Sequence, residues 1–149
     1  KENNMSRVTA EQLKEATMKF AENFDMIDWA YSYTMNPKYI RGNLVLISEI
    51  GTCGTAACLA GNTCLIAGDK LVREAESGDV CALTEDGEII NVEDRATELL
   101  GNPEDSWSMF RTSWWPDEYK DAYINSESSV ERAEIACKVV DHFMGGQHD

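Results

Sequence analysis

The sequence predicts a mainly α fold of the α+β type. The expected architecture is one compact helical domain, residues 1–149, around a central helix of small residues, with one small β-hairpin. Three observations predict it. Helix-start signatures followed by helical spacing of apolar residues stand near both ends of the chain, at Thr9-Ala10-Glu11-Gln12 and Ser128-Ser129-Val130-Glu131. The stretch from Gly51 to Gly68 is apolar nearly all round and rich in small residues, which suits a helix buried on most sides. Asp86-Gly87 lies between two β-prone runs, Val80 onward and up to Val92, and is a strong short hairpin signal.

The elements follow in order. After the first capping box, Leu13, Ala16, Thr17, Phe20 and Phe24 keep helical spacing, and the apolar cluster Phe24 to Trp29 closes that element. Residues 30–43 read as loop, with Asn36-Pro37 as a turn signal. Leu44 to Ile47, between Gly42 and Gly51, reads as a short buried strand or a packed linker. The central helix is expected to take Thr52 or Thr55 as its cap, and its pattern extends through Lys70 to Glu74 with a stop at Gly78. Asn91 precedes a helix with Ala96, Leu99 and Leu100 on one face, stopped by Gly101-Asn102-Pro103. Trp107, Met109, Phe110, Trp114 and Trp115 form an aromatic stretch up to Pro116, which opens a short helix to Ile124. Val130, Ala133, Ala136, Cys137, Val140 and Phe143 line one face of the last helix, which ends at Gly145-Gly146.

Charge narrows the function classes. The chain of 149 residues carries 27 acidic and 13 basic side chains, a net charge of −14. A hydrophobic fraction of 43% rules out wholesale disorder. Binding to nucleic acid or anionic lipid by simple electrostatics is excluded, because either needs a basic surface. The excess is uneven: residues 1–52 are net −1, whereas residues 69–105 hold twelve acids against three bases. That acidic segment contains the predicted hairpin and suits docking of a basic protein partner. No run approaches the ~18 consecutive apolar residues of a membrane span. Lys1 to Arg7 is polar and has no apolar signal region. The five cysteines, Cys53, Cys58, Cys64, Cys81 and Cys137, are odd in number and read as reduced thiols. The expected location is the cytoplasm or a virion.

Metal and cofactor sites find little support. In a helix, at ~100° per residue, Cys53 and Cys58 would lie roughly 140° apart, and Cys53 and Cys64 about 16 Å apart along the axis. No Cys-x2-Cys pair exists, so zinc is expected only if residues 51–58 are not helical. Gly87, Ile89 and Glu93 match positions six, eight and twelve of a calcium loop, but Ala82 and Thr84 fall where the ion needs acids. Gly51-x2-Gly54 and Gly61 lack the Lys-Ser/Thr of a phosphate loop. The expectation is no metal and no cofactor.

Three resemblances bear on function. Asp86-Gly-Glu-Ile-Ile-Asn-Val-Glu-Asp-Arg-Ala-Thr-Glu-Leu-Leu-Gly101 resembles the front edge of a PAS sensory domain. That family continues with several long strands, whereas here aromatic loop and helix follow, so no ligand residue is carried over. Cys53-Gly54 with Cys58-Leu59 resembles the nucleophile region of the bacteriocin-processing peptidases, whose paired cysteines are one residue closer and whose His lies on a later strand. Here His142 falls on a predicted helix and His148 beside the C-terminus. A nucleophile needs a placed base. Phe24-Asp25-Met26-x-x-Trp29, Cys53-Gly54-Thr55-x-x-Cys58-x-Ala60-Gly61, Ala96-x-x-Leu99-Leu100-Gly101 and Phe110 with Trp114-Trp115-Pro116 together resemble an uncharacterised family of small phage-encoded and bacterial proteins. Where the central motif there often continues with Trp, this chain has Asn62. The resemblance implies a compact, mainly helical protein and assigns no catalytic residue.

The functional expectation is therefore a non-catalytic protein–protein interaction module. Its acidic and aromatic surface would comprise Glu85, Asp86, Glu88, Trp107, Trp114 and Trp115, since tryptophans are common interface anchors. The alternatives are a structural component of a virion or other assembly, acting as a homo-oligomer, and a thiol hydrolase using Cys53 or Cys58.

Overall fold

Local chemistry explains where the helices begin in the computed structural model, which describes residues 7–19, 30–32, 38–42, 44–48, 55–77, 79–101 and 106–144. Helix α1 (Ala10–Lys19) opens on the reciprocal capping box. The Gln12 amide donates to Thr9 Oγ1 at 3.1 Å, and the Thr9 amide donates to Gln12 Oε1 at 2.9 Å. Val8 and Leu13, the two positions of a hydrophobic staple, are both fully buried. The Arg7 and Val8 amides donate to the Leu99 carbonyl and tie this end of the chain to a later helix.

The central segment differs from the expected long helix. Strand β1 (Ala30–Ser32) pairs antiparallel with β4 (Thr55–Ala57), so residues 55–57 are strand. Helix α2 (Leu59–Ile66) starts only after Cys58, whose Sγ accepts from the Gly61 amide at 3.4 Å. Neither Thr52 nor Thr55 is the cap: Thr52 lies outside the described residues, and Thr55 belongs to β4. The core of the expectation holds, since Leu59 to Cys64 are six consecutive buried residues. Thr63 satisfies its hydroxyl by donating to the Leu59 carbonyl at 2.9 Å. The helix stops at Gly68, ten positions before the expected glycine. Gly68 has φ +95°, its amide donates to Leu65 O, and the Asp69 amide donates to Cys64 O. Those two bonds make a Schellman stop, which only a residue tolerant of positive φ allows.

Past that stop the chain is strand, which corrects the reading of Lys70 to Glu74 as helix. Strand β5 (Lys70–Glu74) lies at the middle of a five-stranded antiparallel sheet. The others are β2 (Lys38–Arg41), β3 (Leu44–Ser48), β6 (Val80–Leu83) and β7 (Ile89–Asn91), in the order β2-β3-β5-β6-β7. Leu71 and Val72 point to opposite faces of β5 and both are fully buried. The predicted hairpin exists as β6–β7 and forms one edge of this sheet. Residues 38–41, read as loop from the sequence, are the other edge.

Asn91 ends β7 and caps α3 (Val92–Leu99), accepting from the Glu93 and Asp94 amides at 2.9 and 3.2 Å. Helices α4 (Ser106–Phe110), α5 (Asp117–Ile124) and α6 (Ser129–Met144) complete the chain, with a 3-10 turn at Thr112–Trp114. Pro116 sits at the cap of α5. Ser128 caps α6 through the Glu131 amide at 3.0 Å, while Glu131 reaches back one residue further than in a standard box, to the Glu127 amide. Ala133, Ala136 and Val140 are buried as expected, but Val130 is 41% exposed.

The architecture is mainly α of α+β type, with helices holding the larger share of the described residues. The core runs from α1 and α6 through α2 to α3, and Leu71 and Ala82 of the sheet join it. Among the described residues no helix is long and apolar enough to cross a membrane.

Candidate functional site

The acidic hairpin is built by its turn. Gly87 donates its amide to Thr84 O, and the Thr84 amide donates to Glu88 O, both at 2.9 Å. Gly87 takes φ +90°, which closes a three-residue loop. The Thr84 hydroxyl accepts from the Glu88 amide at 3.1 Å and stiffens the turn from inside. Glu85, Asp86 and Glu88 are exposed, and no ion pair holds any of the three among the described residues. Glu85 folds over the end of α2, where a Cβ on Gly68 would meet its Oε2 at 3.2 Å. A carboxylate at a helix C-terminus faces the negative end of the helix dipole.

Two ion pairs, each with a buried carboxylate, hold the base of this hairpin. The sequence reading missed both. Asp69, just past the α2 stop, is 1% exposed and accepts both Arg95 Nε at 2.7 Å and Arg95 Nη2 at 3.1 Å. Arg95 also reaches Glu98 at 3.1 Å. The hydrogen bond to Asp69 pushes the guanidinium pKa up from its ordinary value, against the opposing effect of burial. The second pair is Glu93 with Arg111 Nη2 at 2.8 Å. Glu93 sits in the first turn of α3, where the dipole favours an acid, and its Oε2 is sealed from solvent without a partner. This pair pins the segment that leads into Trp114 to the start of α3. The partners in these pairs are 26 and 18 residues apart, a separation for which sequence periodicity gives no signal.

The tryptophans divide. Trp114 is 66% exposed at the end of the 3-10 turn. Its neighbour Trp115 is 3% exposed and belongs to the core, which corrects its assignment to a docking surface. The Trp115 indole N–H donates to Met109 O at 2.9 Å, and its ring meets Tyr123 edge-on at 5.4 Å. Trp107 belongs to α4, but its side chain lies outside the described residues.

The described cysteines are free thiols. Cys58 is fully buried as the α2 cap, and Cys53 lies outside the described residues. Cys64 donates to Val92 O and Cys137 to Lys14 O. Burial pushes the Cys64 thiol well up and the Cys81 thiol up, and raises Cys137 to about 11. A thiol held protonated in this way is a weak nucleophile. His142 is exposed and its ring contacts Tyr119 and Phe143. No group of three or more His, Cys, Asp or Glu among the described residues could hold a metal ion. The residues matched to a calcium loop are instead the β6–β7 hairpin and the Arg111-paired Glu93. No protein-family model, no curated protein and no solved structure matches this chain.

Proposed function

We propose that the protein is a non-catalytic interaction module that docks a basic protein partner on the β6–β7 hairpin tip, with Trp114 as an aromatic anchor. The observation that carries this reading is the placement of Glu85, Asp86 and Glu88. Internal cations neutralise Asp69 and Glu93, whereas the three tip acids are exposed and have no ion-pair partner among the described residues. Glu85 is moreover held against the end of α2, where the dipole opposes its charge. An arriving Lys or Arg relieves that opposition. Opposite charge on two surfaces also steers encounter and makes it salt-sensitive.

The test is a pull-down at low and high salt with the wild type, with E85Q/D86N/E88Q and with W114A. The wild type retains a basic protein at low salt and releases it at high salt. The triple variant loses it, and W114A holds it more weakly. No salt-sensitive partner, or one retained in full by the triple variant, refutes the reading. A second reading, self-association in an assembly, rests on exposed apolar side chains of α5 and α6: Ile124 is 71% and Val130 41% exposed. A clean monomer by light scattering at high concentration removes it.

A further inference from the structure

Helices α1 and α2 leave a groove of about 540 Å³ between them. Gln12, Glu15, Ala16 and Lys19 line it from α1, and Asn62, Leu65 and Ile66 line it from α2. Each set follows the i, i+3, i+4 spacing of one helical face, so the groove is a continuous seam. Ala16 is too short to fill the space opposite Leu65 and Ile66. The volume falls within the ~300–1,000 Å³ of small-molecule sites.

Asn62 is the informative residue. It is 5% exposed, yet its carboxamide makes no hydrogen bond with any described residue. A polar group withdrawn from water without a partner is unfavourable. Among the described residues, the sealed side-chain atoms that lack partners are Thr17 Oγ1 and Glu93 Oε2. The Asn62 carboxamide is not one of them, because it opens into the groove. The group offers two donors and an acceptor on a neutral plane. Its complement is a group with a donor and an acceptor side by side, which is an amide. The rim carries one acid, Glu15, and one base, Lys19, so it is neutral in sum, and the chain's −14 disfavours anions.

We propose that the α1–α2 groove binds a neutral aliphatic amide. Its amide bonds to the Asn62 carboxamide, and its hydrocarbon lies on Ala16, Leu65 and Ile66. None of these residues belongs to the hairpin tip, so the site is independent of the docking surface proposed above.

The probe is N-acetyl-leucyl-leucinamide, titrated into the isotopically labelled protein and followed by NMR. The Asn62 side-chain NH2 and the Leu65 and Ile66 methyl signals are expected to shift together and saturate. N62L keeps the volume and removes the carboxamide, and it should weaken the affinity about tenfold. A16F fills the groove from the other helix and should abolish the saturable shifts, and it supplies a second test should N62L fail to fold. E85Q/D86N/E88Q should bind the probe as the wild type does. Shifts that scatter over the surface or never saturate overturn the proposal. So does wild-type affinity in a folded N62L or A16F.

Discussion

Substituting Met for Arg95 while leaving Asp69 in place strands a carboxylate that is 1% exposed. Substituting Asn for Asp69 does something milder. Arg95 then keeps Glu98, whose side chain is 64% exposed and well solvated, and the new amide oxygen can still accept from the guanidinium. Removing one partner from a buried pair costs about 3–5 kcal/mol. R95M should fall in that range. D69N should cost about 1–2 kcal/mol, because a charge-assisted hydrogen bond is weakened rather than lost. D69L/R95M, which removes both charges together, should be far less destabilised than the two single deficits added. Urea unfolding followed by far-UV circular dichroism measures this, provided the slope with denaturant is unchanged. If R95M proves milder than D69N, or D69L/R95M loses as much as the two single deficits added, the buried pair does not hold α3 to the α2–β5 corner as described.

Three further outcomes follow from the same geometry. W115A should cost about 3–5 kcal/mol, since it empties a core site and leaves Met109 O without its donor, whereas W114A should stay within about 0.5 kcal/mol; thermal melts of the two variants compare them. G68A should destabilise by about 1–2 kcal/mol through its φ of +95°, and E85A should restore only the part due to crowding against Glu85, which a double-mutant cycle in urea resolves. The folded state holds protons on Cys64, Cys81 and Cys137 that the unfolded chain releases, so stability should be complete below about pH 8.5 and decline as pH rises through about 11, less steeply in C137A; iodoacetamide at pH 7 should leave buried Cys58 and Cys64 unmodified, and fast labelling of Cys58 would return the thiol hydrolase to consideration.

What the sequence disclosed was local. Thr9 with Gln12, Ser128, Asn91 and the Asp86-Gly87 turn act within four residues of themselves, and each is where its side chain or backbone preference puts it. The small-residue segment gave away a buried helix because burial on all sides leaves a composition. What it hid was non-local. Lys70-Leu-Val-Arg-Glu74 suits a helix as well as a strand, and it is a strand because β3 and β6 flank it. The short edge β2 has no apolar run to mark it. Cys58 as a cap was hidden too, since Thr is the commoner signal and two threonines stood nearby. At the candidate site the exposed hairpin acids were legible from Asp-Gly and charge. The Asp69–Arg95 pair was not, because an ion pair between distant residues leaves no period. Asn62 did leave a trace, as a carboxamide inside a helix of mostly apolar residues.

The junction at Asn91 has a mechanical consequence. One residue closes the last strand and caps the next helix, with no spacer between them. The hairpin and α3 therefore behave as one rigid bent arm. The tip acids sit at one end of the arm. Arg95 and Glu93 lie along the other, clamped to the α2–β5 corner and to the segment before Trp114. A load on the tip cannot be absorbed by a yielding loop at Asn91. It bears on those two clamps instead.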